Sequence, residues 1–84
     1  MFKKGEQVFI RTVTHYYTGK VIFCGKGYVE LGHAAWVADT GRFHDALMKG
    51  TLSEVEPFPD SVKIPLTAIV DATLWRHQLP RVQK

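Results

Sequence analysis

The 84-residue sequence holds a single cysteine, Cys24, and only two serines, Ser53 and Ser61. One thiol excludes an intrachain disulfide framework and points to a reducing compartment, the cytoplasm. Neither serine lies in a Gly-x-Ser-x-Gly elbow. No segment approaches the ~20 apolar residues of a membrane span. The opening Met1-Phe2-Lys3-Lys4-Gly5-Glu6 is not followed by an apolar run long enough for a signal peptide. His15, His33, His44 and His77 contain no i, i+4 pair and meet no cysteine pair, so metal ligation is not expected. Gly19-Lys20 and Gly25-Lys26-Gly27 lack the glycine frame and terminal Lys-Ser/Thr of a phosphate loop. Cys24 sits within an expected strand, where a lone thiol acts as a small buried hydrophobe. These absences point to a protein that is not an enzyme and carries no cofactor.

What is present is aromatic. Five Phe, three Tyr and two Trp are generous for one small domain. A core of this size does not hide ten large rings, so a homo-oligomer is expected. The net charge of +3 is unevenly spread. Residues 1–32 carry five Lys/Arg against two acids, residues 33–60 two against five, and residues 61–84 four against one. An acidic centre between two basic ends is the pattern of a solvated surface, and folding the ends together would be needed to build a nucleic-acid patch.

Gln7–Thr14 is dense in β-branched residues and reads as a strand, as do Val21–Cys24 and Tyr28–Leu31. Gly25-Lys26-Gly27 is expected to supply positive-φ positions for the hairpin between the last two. Val62, Ile64 and Leu66 alternate with polar or proline positions, which predicts one buried face. Ala68–Trp75 is apolar on both faces apart from Asp71 and Thr73, and predicts either a central strand or one at a subunit contact. Val55–Asp60, with two prolines, is an extended connection and a poor central strand. A single helix is expected over 41–49, capped by Asp39 or Thr40, with Phe43, Ala46 and Leu47 on one stripe and Gly50 just past its end. The expected fold is mainly β, a strongly bent SH3-like or Sm-like barrel of about five strands with one short helix. It forms one domain over 1–84, with 76–84 a basic tail.

Two segments suggest binding. His33–Phe43 joins the β-rich half to the helix and combines Trp36, Asp39, Thr40 and Arg42, an aromatic wall with hydrogen-bonding groups and a guanidinium. Trp36 is suited either to stacking on a base or to plugging the core. Arg42 is suited to a phosphate or to a surface ion pair. In the second segment, Thr12, Thr14 and Thr18 offer hydroxyls beside Tyr16 and Tyr17. Adjacent strand residues point to opposite sides, so one tyrosine is expected at a ligand or subunit surface, or covering the end of the barrel.

The strings Thr12–Gly19, Ala34–Phe43, Glu54–Phe58 and Ala68–Trp75 resemble a group of small proteins encoded by phages and prophages. The resemblance covers most of the chain, implies a viral setting within the host cytoplasm, and carries no catalytic or binding residues with it. In that setting the inventory suits an oligomeric binder of a nucleotide-like anionic ligand, such as a sponge that sequesters a host immune nucleotide signal in anti-defence. Trp36, Tyr16 or Tyr17 would stack, Arg42 would meet phosphate, and Thr12, Thr14, Thr40 and Asp39 would supply hydrogen bonds. The alternatives are a virion structural or assembly protein and an Sm-like RNA-binding ring. No membrane partner is expected.

Overall fold

The structure is a computed structural model that describes residues 2–84. It is mainly β: strands β1 (Gln7–Thr12), β2 (Tyr16–Cys24), β3 (Tyr28–Asp39), β4 (Glu54–Pro57), β5 (Val62–Pro65) and β6 (Ile69–Leu74), with one α-helix, α1 (Phe43–Lys49). A short 3-10 turn, Leu66–Ala68, joins β5 to β6. All six strands form one antiparallel sheet in the order β4-β3-β2-β1-β6, with β5 also paired to β3. No ladder joins β6 to β4 or β5, so among the described residues the sheet stays open.

Both faces of the bent sheet are buried. Val8 and Ile10 of β1 join Val21, Val29, Leu31, Ala34 and Ile64 in one cluster. Phe9, between them in sequence and on the opposite face, joins Ala35, Val37, Ala46, Leu52, Val55 and Trp75 in a second. The side-chain parity of β3 therefore changes partway along: Val29 and Leu31 serve the first cluster, Ala35 and Val37 the second. An extra residue in β3 makes the switch. The register passes from Lys20↔Gly32 to Thr18↔Ala35, and His33 takes a positive φ of 47°. A bulge of this kind adds one unpaired residue and bends the strand. Gly19 permits the close approach opposite it, since a Cβ there would lie 2.8 Å from Leu31 Cβ and 3.3 Å from Ala34 Cβ.

The bulge is also why β3 is longer than the sequence suggests. The strand does not stop at Leu31, and His33–Asp39 is not a joining loop but the second half of a 12-residue strand. The helix begins at Phe43 rather than at residue 41. Arg42 occupies the N-cap with no side-chain cap bond, so neither Asp39 nor Thr40 caps it. Gly41, at φ +70°, turns the chain between strand and helix. The far end is as expected: Gly50 is left-handed at φ 76°, and its N–H donates to Ala46 O. Asp45 in the first turn and Lys49 in the last complement the helix dipole.

Three further expectations change. Gly25 and Gly27 do not adopt positive φ; the hairpin closes instead with Gly25 N–H donating to Tyr28 O. Of the two placements expected for Ala68–Trp75, the central one is excluded: among the described residues β6 is an edge strand paired only with β1. The segment 76–84 is not a free tail. Leu79 packs on the second cluster. The Arg81 guanidinium donates to Ala34 O at 2.9 Å and Phe58 O at 3.1 Å. Lys84 exchanges two backbone hydrogen bonds with Val55 of β4. This segment pairs with the outer edge of β4 at Val55 and adds a second donor to Ala34 O, which already accepts from Phe58 N–H.

Candidate functional site

The parity switch at His33 decides where the candidate residues go. Beyond the bulge, Ala34 and Trp36 share one face, and Trp36 lies directly opposite Tyr17 of β2. Tyr17 packs on the first cluster, stacked 6.1 Å from Phe58. Between the two rings sits His15, with centroids 4.7 Å from Tyr17 and 5.0 Å from Trp36. Phe58, Tyr17, His15 and Trp36 thus form a strip of four half-buried rings along one end of the sheet.

The β1–β2 turn fixes the middle ring. The Thr12 hydroxyl donates to His15 O at 2.7 Å and accepts from His15 N–H at 3.3 Å, while Thr12 N–H also donates to His15 O. The Thr14 hydroxyl lies 2.7 Å from His15 Nδ1. His15 Nε2 is buried with no hydrogen-bond partner among the described residues. Burial holds the His15 imidazolium pKa below its ordinary value and pushes the Tyr17 phenol up. A neutral imidazole suits ring contacts better than a charged one in such a setting.

Behind the turn lies a groove of about 360 Å³ lined by Arg11, Thr12, Thr14, His15, Tyr16 and Val70 among others. Arg11 is engaged there: its Nε donates to Asp71 Oδ1 at 3.1 Å and its terminal nitrogen to Asp71 Oδ2. Tyr16 points the other way from Tyr17. It stacks 5.3 Å from Phe9 and lies 6.2 Å from Phe43, over the second cluster. Both tyrosines are half-buried, because each face of β2 has a core of its own.

The proposed set is thereby divided. Thr12, Thr14, Tyr17 and Trp36 come together around His15. Asp39 and Thr40 are occupied in the strand-to-helix turn: the Asp39 carboxylate accepts from Gly41 N–H at 2.8 Å, and the buried Thr40 hydroxyl donates to Gly41 O. Arg42 is exposed and its guanidinium has no partner among the described residues. Sequence reasoning missed His15 and Phe58 as members. The string Thr14-His15-Tyr16-Tyr17 was visible, but only the pairing of Tyr17 with Trp36 brings the imidazole between two rings.

No group of three or more His, Cys, Asp or Glu side chains converges on a common point among the described residues. No helix among them is long and apolar enough to cross a membrane. Comparison with protein-family models, with characterised proteins and with solved structures gives no match.

Proposed function

We propose that the protein is a non-enzymatic binding module for a nucleotide-like anionic ligand, on an SH3-like frame whose open sheet bends toward a barrel. The observation that carries this reading is the ring strip, where His15 is clasped between Tyr17 and Trp36. Half-exposed rings at a sheet end give a planar base a stacking surface. Arg42, the expected phosphate partner, does not join this strip: it directly precedes Phe43, which packs with Tyr16 over the second cluster, so the reading rests on the rings and the turn. Thr14 is the exposed hydroxyl of the turn, while that of Thr12 is consumed in holding it. In the phage setting suggested by the sequence resemblance, holding a nucleotide signal without cleaving it is itself the activity.

Calorimetric titration with nucleoside monophosphates, cyclic dinucleotides and a short single-stranded oligonucleotide tests this. Binding is expected for at least one free nucleotide class, with Trp36→Ala abolishing it. Salt-sensitive binding of the oligonucleotide alone would favour an RNA-binding role. No heat with any probe at millimolar concentration, or unchanged affinity in Trp36→Ala, overturns the assignment.

A further inference from the structure

We infer that β6 is a dimerisation edge, on which a second copy of this chain adds its own β6 antiparallel to make one continuous sheet. The inference stands apart from the ligand reading, since it uses the opposite margin of β1 from the ring strip.

Edge strands normally carry guards against this kind of pairing, such as prolines, lysines or a covering segment. Two of the three outer strands here have them. The open side of β4 is occupied by Lys84, which exchanges two backbone hydrogen bonds with Val55. β5 is four residues long, carries Lys63 and ends at Pro65. β6 has neither proline nor lysine, and from Val70 to Leu74 every residue is exposed. Its single charge, Asp71, is already paired with Arg11 of the same chain.

The backbone directions are readable from the register. Trp75 N–H donates to Gln7 O, which continues the ladder Val8↔Leu74, Phe9↔Thr73, Ile10↔Ala72. In an antiparallel ladder, hydrogen-bonded pairs alternate with non-hydrogen-bonded ones. Thr73 and Trp75 therefore aim their backbone groups at β1, whereas Ala72 and Leu74 aim theirs outward. Those outward groups need a strand, and the register shift at the Arg11/Thr12 step confines regular pairing to the stretch from Asp71 onward.

Self-complementarity selects the partner. A two-fold axis at Thr73 pairs Ala72 of each copy with Leu74 of the other through the outward-facing backbone groups. It sets Thr73 against Thr73, a favourable cross-strand pair. It also keeps the two Asp71 carboxylates apart, each two positions from the axis and opposite Trp75 of the other copy, with its own Arg11 as ion-pair partner. An axis at Asp71 would oppose two like charges, and one at Ala72 would run each strand into the other's bulge. On the side of Ala72 and Leu74, the paired side chains border a mainly apolar groove of about 430 Å³ that also includes Phe2 and Val8, with Glu6 on its lining. One copy covers the groove of the other, and because each chain has a single unguarded edge the assembly closes at two.

Light scattering on the full chain over 1 µM to 1 mM, with its monomer mass of 9.5 kDa, tests the inference. The wild type is expected to reach twice that mass as concentration rises. Ala72→Pro, which removes only an outward N–H, and separately Leu74→Lys are expected to stay at monomer mass with unchanged circular dichroism. In a Cys24→Ser background, Thr73→Cys is expected to oxidise to a disulfide-linked dimer, because a non-hydrogen-bonded pair brings the two Cα atoms to about 4.5 Å. A wild type that remains monomeric at 1 mM overturns the inference. So does a dimer that survives Leu74→Lys, or one in which Thr73→Cys fails to cross-link.

Discussion

Thr18 offers a substitution that ought to stabilise the protein while deleting a polar group. It is fully buried in β2, placed between Phe9 on β1 and Ala35 on β3, and its hydroxyl has no hydrogen-bond partner among the described residues. A buried unsatisfied hydroxyl costs about 1–3 kcal/mol relative to an apolar group of the same shape. Valine keeps the β-branched outline that a strand prefers and removes the donor. Thr18→Val is therefore expected to raise stability by about 1–3 kcal/mol. At roughly 4–8 °C per kcal/mol for a domain of this size, the gain is large enough to read in a single melt. Urea denaturation should show the midpoint rising with an unchanged slope, the mark of a pure stability change. Thr12→Val is the control, because that hydroxyl both donates to and accepts from the His15 backbone. It should lose about 1 kcal/mol. A destabilised Thr18→Val variant would refute the reasoning, for it would mean that the hydroxyl is satisfied in solution.

Two further expectations follow from the same accounting of partners. His15 is held neutral by burial, so its folded pKa lies below the unfolded value near 6.5, and the unfolded chain binds the extra proton more readily. The stability this contributes is complete above pH 6.5 and is lost as pH falls through the lower folded pKa; melts at pH 7.5, 6.0 and 5.0 should show that part of the fall disappear in His15→Gln. Gly50→Ala should destabilise by about 2 kcal/mol in chemical denaturation, since φ 76° is strained for alanine and the new Cβ would lie 2.7 Å from His77 Cγ, disturbing the contact of that ring with Leu47 O.

The parts of the fold legible in the sequence are those with local causes. β-branched runs announced β1 and the ends of β2 and β3, alternation announced Ile64 as buried, and Gly50 announced the end of the helix. What escaped depended on distant pairing. Gly32-His33 resembles a strand terminus until a strand on each side supplies hydrogen bonds through the bulge. The apolar composition of Ala68–Trp75 fits a central strand and a strand at a subunit contact equally, and composition does not reveal that β1 is its one paired neighbour among the described residues. Arg81 looked like part of a basic tail, because nothing near it in sequence hints at the Ala34 and Phe58 carbonyls. The candidate site divides along the same line. Trp36 and Tyr17 were identified by type, while their shared partner His15 required the β2–β3 register. Asp39 and Thr40 were drawn into a turn by the short-range hydrogen bonding that aspartate and threonine favour.

The change of face within β3 has a consequence for how the molecule comes apart. One strand contributes Val29, Leu31 and Ala34 to the first cluster and Ala35 and Val37 to the second, while pairing with β2, β4 and β5. Neither core can melt while its half of β3 stays in place, and peeling one half loosens the bend that seats the other. Its partners lie as far away in sequence as residues 54–65, so chain entropy must be surrendered before either cluster rewards it. The molecule is thus built to fold late and all at once, on the millisecond-to-second scale of non-local β topologies rather than the microseconds of helical domains.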